Sequence, residues 1–185
     1  GIRDSVASRG LGDVYKRQLL SCGPNLQKSF SAAPVKATSG KMILLGSINV
    51  NNLKTSPITP WFNQQYNKIS IDPNWIKEIQ PFMKGLKIKV FMGTWCEDSQ
   101  RELPHFFKLL NALEFDQNHL KMYAMSEEKT TPRNFERDLE IYNIPTIIFF
   151  KDGNEMNRFV EFPLNSLESD IEKIVKGAAY SHSYR

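Results

Sequence analysis

Lys87 to Met92 (KIKVFM) alternates in polarity and then turns wholly apolar, stops at Gly93-Thr94-Trp95, and gives way at Cys96 to a long helical stripe. This succession restricts the chain more than any other part of it. A strand whose second half is apolar on both sides must lie inside a sheet, with further structure packed against it. The stripe that follows, Leu103, Phe106, Phe107, Leu110 and Leu113, marks the buried face of one covering helix. Pro104 falls within that stripe and should kink the helix. The helix is expected to begin at Cys96, which places a thiol where unpaired N–H groups favour negative charge. Glu97 and Asp98 act in the opposite direction, because two carboxylates beside the sulfur oppose a third charge.

The flanking elements complete an α/β pattern. Met42 to Val50 reads as a short strand or extended arm, and Ile58, Phe62, Tyr66 and Ile69 share one helical face. Asp72-Pro73 supplies an N-cap and a first-turn proline. The helix they open is expected to reach about Lys84, with Trp75, Ile76, Ile79 and Phe82 inward and Gly85 as its stop. Lys121 to Met125 reads as a strand and Pro132 to Tyr142 as a short charged helix. Ile147 to Phe150 is a fully apolar strand, Asp152-Gly153 a hairpin turn, and Glu155 to Phe162 the returning strand. Leu164 to Lys176 closes the pattern as an amphipathic helix with Leu167, Ile171, Ile174 and Val175 inward. The order implies a mixed central sheet flanked by helices on both faces.

Three features together carry a resemblance to the thioredoxin family over roughly residues 73–178. Trp95-Cys96 follows an apolar strand, Pro104 lies eight positions beyond the cysteine, and Ile144-Pro145-Thr146 precedes an apolar strand with an Asp-Gly turn. The stretch Gly93-Thr94-Trp95-Cys96-Glu97-Asp98-Ser99 looks like a monothiol WCxDS branch similar to Bacteroidetes thioredoxin family proteins, many of which carry lipoprotein leaders. The resemblance implies a thioredoxin fold with an N-terminal extension and a cis bond before Pro145. It also implies a substrate groove formed by Trp95, Ile144 and Pro145. Two departures matter. The usual second cysteine is Ser99, and the buried carboxylate expected six positions before the nucleophile falls on Val90.

The chemistry implied is thiol–disulfide exchange, in which a thiolate attacks one sulfur of a disulfide and the other leaves. Cys96 is the expected nucleophile, and Ser99, one turn in, is the second expected catalytic residue, its hydroxyl able to donate to the sulfur. The partners would be protein disulfides or small-molecule thiols, and no cofactor is implied. The alternative is a redox-inactive thioredoxin-fold module that holds a protein partner. His105, nine positions after Cys96, is too distant for a catalytic pair. No metal-ligand spacing joins it to His119 or His182. Thr94 stands two positions before Cys96, where peroxiredoxins place a threonine three before theirs, which disfavours peroxidase chemistry.

Net charge is +4 over 185 residues, and residues 1–18 supply two of that surplus. A balance so near neutral gives no case for nucleic acid. Residues 1–18 are polar, without period, and read as a non-native, adaptor-like segment. Residues 19–40 read as a lipoprotein leader remnant and linker. Leu19-Leu20-Ser21-Cys22 resembles the end of a lipobox, which makes Cys22 a lipidation candidate and the cell envelope or periplasm the expected location. Residues 41–72 form the N-terminal extension, 73–178 the thioredoxin-like domain and 179–185 a tail. Oligomeric state is left open.

Overall fold

The computed structural model describes residues 33–184. Cys22, with the lipidation expected of it, lies outside the described residues. Among the described residues seven strands form two sheets. Strands β1 (Val35–Lys36) and β2 (Met42–Ile43) make a small antiparallel pair. The main sheet contains β3 (Gly46–Ile48), β4 (Leu86–Met92), β5 (Leu120–Ala124), β6 (Thr146–Lys151) and β7 (Asn154–Val160), in the order β3-β5-β4-β6-β7. β4 and β5 run parallel, while β3, β6 and β7 each pair antiparallel with a neighbour. The apolar strand thus occupies the centre of a mixed sheet. Asp152 and Gly153, both at positive φ, turn the chain between β6 and β7.

Among the described residues five α-helices cover one face. They are α1 (Val50–Thr55), α2 (Pro60–Tyr66), α3 (Pro73–Ile79), α4 (Glu97–Ala112) and α5 (Leu167–Val175). Alternation along the strands sends Ile88, Val90, Met92, Ile147 and Phe149 to this face. They share one buried cluster with Leu53, Phe62, Ile79, Phe106, Leu110 and Ile171 from the helices. The stretch read as an N-terminal extension contributes edge strand β3 and helices α1 and α2 to this assembly. Asp72 caps α3 by accepting the Asn74 N–H at 2.8 Å, as the Asp-Pro pair anticipates. Helix α4 runs unbroken across Pro104, with Leu103, Phe106, Phe107 and Leu110 buried on it and Leu113 at its C-cap.

The opposite face departs from the sequence expectation. Phe91, Tyr123 and Ile148 point this way and meet Phe135, Leu139, Ile141 and Ile144. The segment carrying those residues is a succession of turns, not the helix expected over 132–142. Asn134, Asp138 and Glu140 all adopt positive φ, which breaks helical continuity three times; Asn and Asp tolerate this region best. Local side-chain bonds compete with helix formation as well. The Glu136 carboxylate accepts the Thr131 N–H at 3.2 Å and its hydroxyl at 2.5 Å, and the Arg158 guanidinium donates to the Leu139 carbonyl at 2.7 Å.

A second correction concerns Phe82. Pro81 converts the end of α3 into a 3-10 turn, Gln80–Met83, which turns Met83 inward. Phe82 is 40% exposed there, with the Lys176 ammonium over its ring at 5.8 Å.

Candidate active site

The apolar end of β4 delivers the chain into the tight turn Gly93–Cys96, closed by the Cys96 N–H donating to the Gly93 carbonyl at 3.1 Å. Cys96 is the N-cap of α4, with extended backbone (φ −86°, ψ 124°), and the helix proper begins one residue later than expected, at Glu97. Its carbonyl accepts the Gln100 N–H at 3.0 Å. The thiol is half-buried. It donates to the Ile144 carbonyl at 3.3 Å.

The Ile144–Pro145 peptide is cis. The Pro145 carbonyl accepts the Glu161 N–H at 2.8 Å, so the end of β7 holds the proline loop from the far side. The Thr146 hydroxyl donates to the Asn143 carbonyl at 2.6 Å and pins the loop's other end. Cys96, Trp95 and Ile144 therefore come together, and Pro145 adjoins them.

Trp95 braces the turn. Its indole N–H donates to the Met125 carbonyl at 3.1 Å, and the ring lies against the Gly93 backbone. A methyl group built at Gly93 would stand 2.7 Å from Trp95 Cε2 and 3.0 Å from Ile144 Cδ1. Gly93 is thus demanded by close approach. The Gln100 amide donates to the Thr94 carbonyl at 2.9 Å, and the Thr94 hydroxyl oxygen accepts the Leu44 N–H at 3.1 Å. Thr94 is accordingly a buried brace rather than a reacting group.

Ser99 is fully buried one turn into α4, and its hydroxyl oxygen accepts the Gly93 N–H at 3.2 Å. Its bond is to the turn backbone. Val90 is also fully buried within the helix-face cluster. His105 reaches Glu168 at 2.8 Å and ties α4 to α5, away from the sulfur. Among the described residues no group of three or more His, Cys, Asp or Glu is placed to hold a metal ion.

The first turns of α4 carry paired charges. Asp98 is paired with Arg101 at 2.6 Å, and Arg101 also meets Glu102 at 2.6 Å. Burial raises the Glu102 carboxyl above its ordinary range, with Arg101 opposing that shift. Burial, and then the neighbouring Asp98, likewise hold Glu161 above the usual carboxylate value. The Tyr184 hydroxyl donates to Glu161, and the Ser183 hydroxyl donates to the Phe162 carbonyl at 2.9 Å, so the C-terminal tail borders the proline loop. Gly93, Gln100, Glu161 and Tyr184 were not singled out by sequence reasoning. Glu161 lies 65 positions from Cys96 and is brought to the Pro145 loop by the pairing of β7 with β6. Gly93 did carry a legible signal, a glycine just ahead of a tryptophan in a tight turn.

A family model described as thioredoxin matches residues 59–172. A thioredoxin of Staphylococcus saprophyticus is 32% identical over 103 residues, which are 55% of this chain and 91% of that protein. A thioredoxin-like protein of Acanthamoeba polyphaga mimivirus is 31% identical over 88 residues, 48% of this chain, and the match spans only 61% of the viral protein. Among solved structures, a protein of unknown function from Pseudomonas aeruginosa superposes with a TM-score of 0.55 at 17% identity. That match covers 72% of this chain and 94% of the other, a likeness of fold.

Proposed function

The chain belongs to the thioredoxin family, and from that premise we propose that it is a monothiol thiol–disulfide exchange protein with Cys96 as nucleophile. Thiol–disulfide redox chemistry is the family-level activity; the monothiol mechanism is the finer reading. The observation that carries it is the half-buried Cys96 thiol at the helix cap, 3.3 Å from the Ile144 carbonyl beside cis Pro145. An extended peptide lying along that loop would bring its own disulfide to the sulfur. Trp95, Ile144 and Pro145 form the wall of the groove in this reading.

In the reaction, Cys96 gives up its proton and its sulfur attacks one sulfur of the substrate disulfide. A mixed disulfide forms, and the departing thiolate takes up a proton. Ser99 cannot resolve this adduct, because a hydroxyl does not form a disulfide. Release requires a second thiol from the substrate or from solution, which suits isomerisation or deglutathionylation better than net reduction. Trapping tests this directly. Incubation with oxidised glutathione or a peptide disulfide should give a mixed disulfide mapped to Cys96 by mass spectrometry and abolished in Cys96→Ser. Failure to form it would leave the second reading, a redox-inactive module that holds a partner in the same groove. Ser99 and Val90, both lacking the usual redox groups, favour that reading.

A Ser99→Cys variant probes the geometry. Positions 96 and 99 lie one helical turn apart, so the introduced thiol should form an internal disulfide with Cys96 and confer insulin reduction. Two thiols that stay free under oxidising conditions would defeat the assignment. We place the protein in the cell envelope of a bacterium, anchored through Cys22 in the manner of the Bacteroidetes lipoproteins it resembles. Labelling with a palmitate analogue that persists in Cys22→Ser would defeat that placement.

A further inference from the structure

The turns that cover the second face stop short of its far end, beyond which three lysines stand together. Lys87 and Lys89 alternate with buried residues on β4 and share the side of Phe91. On the parallel neighbour β5, Lys121 is the direct cross-strand partner of Lys89. Like charges placed opposite each other in a sheet are destabilising. The usual remedy, an interleaved carboxylate, is missing: among the described residues neither Lys87 nor Lys121 has an ion pair, and the Lys89 ammonium lies over the Phe150 ring at 5.2 Å. These side chains line a cavity of about 440 Å³, with Phe150 as its apolar wall and Asn118 and His119 on its rim; no Asp or Glu is in the lining.

We propose that this cavity binds a small oligophosphate-bearing ligand. Its volume lies in the range of small-molecule pockets, roughly 300–1,000 Å³. Cations on adjacent strands focused into a concave site would concentrate a compact polyanion, whose charges would relieve the repulsion between Lys89 and Lys121. The Asn118 amide donates one hydrogen to Asp116 at 2.9 Å and keeps its second for a phosphate oxygen, and His119, whose Nδ1 lies 3.7 Å from the same carboxylate, can present its other ring nitrogen. The cavity sits at the opposite end of β4 from Cys96, so binding there is independent of the exchange chemistry proposed above.

The probe is inorganic tripolyphosphate, titrated calorimetrically into the full chain at low ionic strength. Saturable one-site binding that weakens with added salt is expected. Lys89→Gln and Lys121→Gln should each weaken it about tenfold or more, as for loss of a charge-assisted bond. The free variants should denature no earlier than the wild type, since each removes a like-charge contact; this separates a lost ligand group from a damaged fold. The proposal is overturned by absence of saturable binding or by unchanged affinity in the Lys89→Gln/Lys121→Gln double variant. Equal stabilisation by sulfate at matched ionic strength, or tighter binding of an acidic peptide than of tripolyphosphate, would also overturn it.

Discussion

The two faces of the central sheet are built differently although the same strands supply both. One face is sealed by five helices and a single large cluster in which Phe62, Phe106, Phe149 and Phe159 are all fully buried. The other is covered by turns, carries the smaller cluster that includes Trp95 and Cys96, and ends in exposed lysines. A helix satisfies its own backbone, so a face covered by helices can be wholly apolar. Turns leave backbone groups for side chains and neighbouring strands to satisfy, and those groups are what hold the proline loop and the Cys96 turn in place. The large core lies on the first face and the candidate site on the second.

Truncation in the helix face should have the largest effect. Phe149→Ala removes a fully buried ring at the sheet centre, edge-on to Phe106 at 6.4 Å. It should cost about 3–5 kcal/mol, read as a fall in denaturant midpoint with unchanged slope. A loss below about 1 kcal/mol would erase the contrast between the faces.

Overpacking the turn should come next. Gly93→Ala drives a methyl group into Trp95 and Ile144. The expected cost is about 1–3 kcal/mol. Displacing Ile144 also loosens the bond that its carbonyl accepts from the Cys96 thiol. Iodoacetamide alkylation mapped to Cys96 should therefore quicken, whereas Phe149→Ala, still folded in mild conditions, should change it little. Equal acceleration in both variants would mean that the faces are coupled.

The contrast also explains what was legible beforehand. β4, the buried stripe of α4, the Asp-Gly hairpin and the Asp72 cap each follow from short-range patterns, period 2 or 3.6 or a single turn residue, and all stand in the structure. So does the juxtaposition of Cys96, Trp95 and Ile144, because the resemblance named those positions. The turns over 131–144 were not legible: Phe135 and Leu139 stand four apart as on a helix, and the positive φ at Asn134, Asp138 and Glu140, with the bonds of Glu136 and Arg158, decides against one. The Glu161–Tyr184 contact was illegible for a different reason, since no local pattern reports where a strand end meets a tail.

The smallest effect should be acid loosening of the second face, and it sharpens the comparison because its sign is specific. Burial raises the Glu136 carboxyl, but bonds from the Thr131 hydroxyl and backbone N–H groups outweigh it, and the net shift is downward from 4.5. A depressed carboxyl contributes stability above its unfolded value, and that contribution is lost as pH falls through the lower folded value. The turn segment should therefore loosen once pH drops below about 4.5, while neutral solution holds it. Glu102 and Glu161 are shifted upward by burial and run the other way, so their contributions fade as pH rises. A global midpoint would mix the two, whereas amide exchange at Thr131 and Phe135 reads the segment alone. The Phe135 N–H donates to the same Thr131 hydroxyl that Glu136 fixes. At neutral pH, Glu136→Gln should exchange faster than the wild type at both amides, and the difference should shrink in acid as the wild-type carboxyl protonates. Slower exchange in Glu136→Gln, or a difference that grows with acidity, would show that the turns are held by their apolar contacts instead.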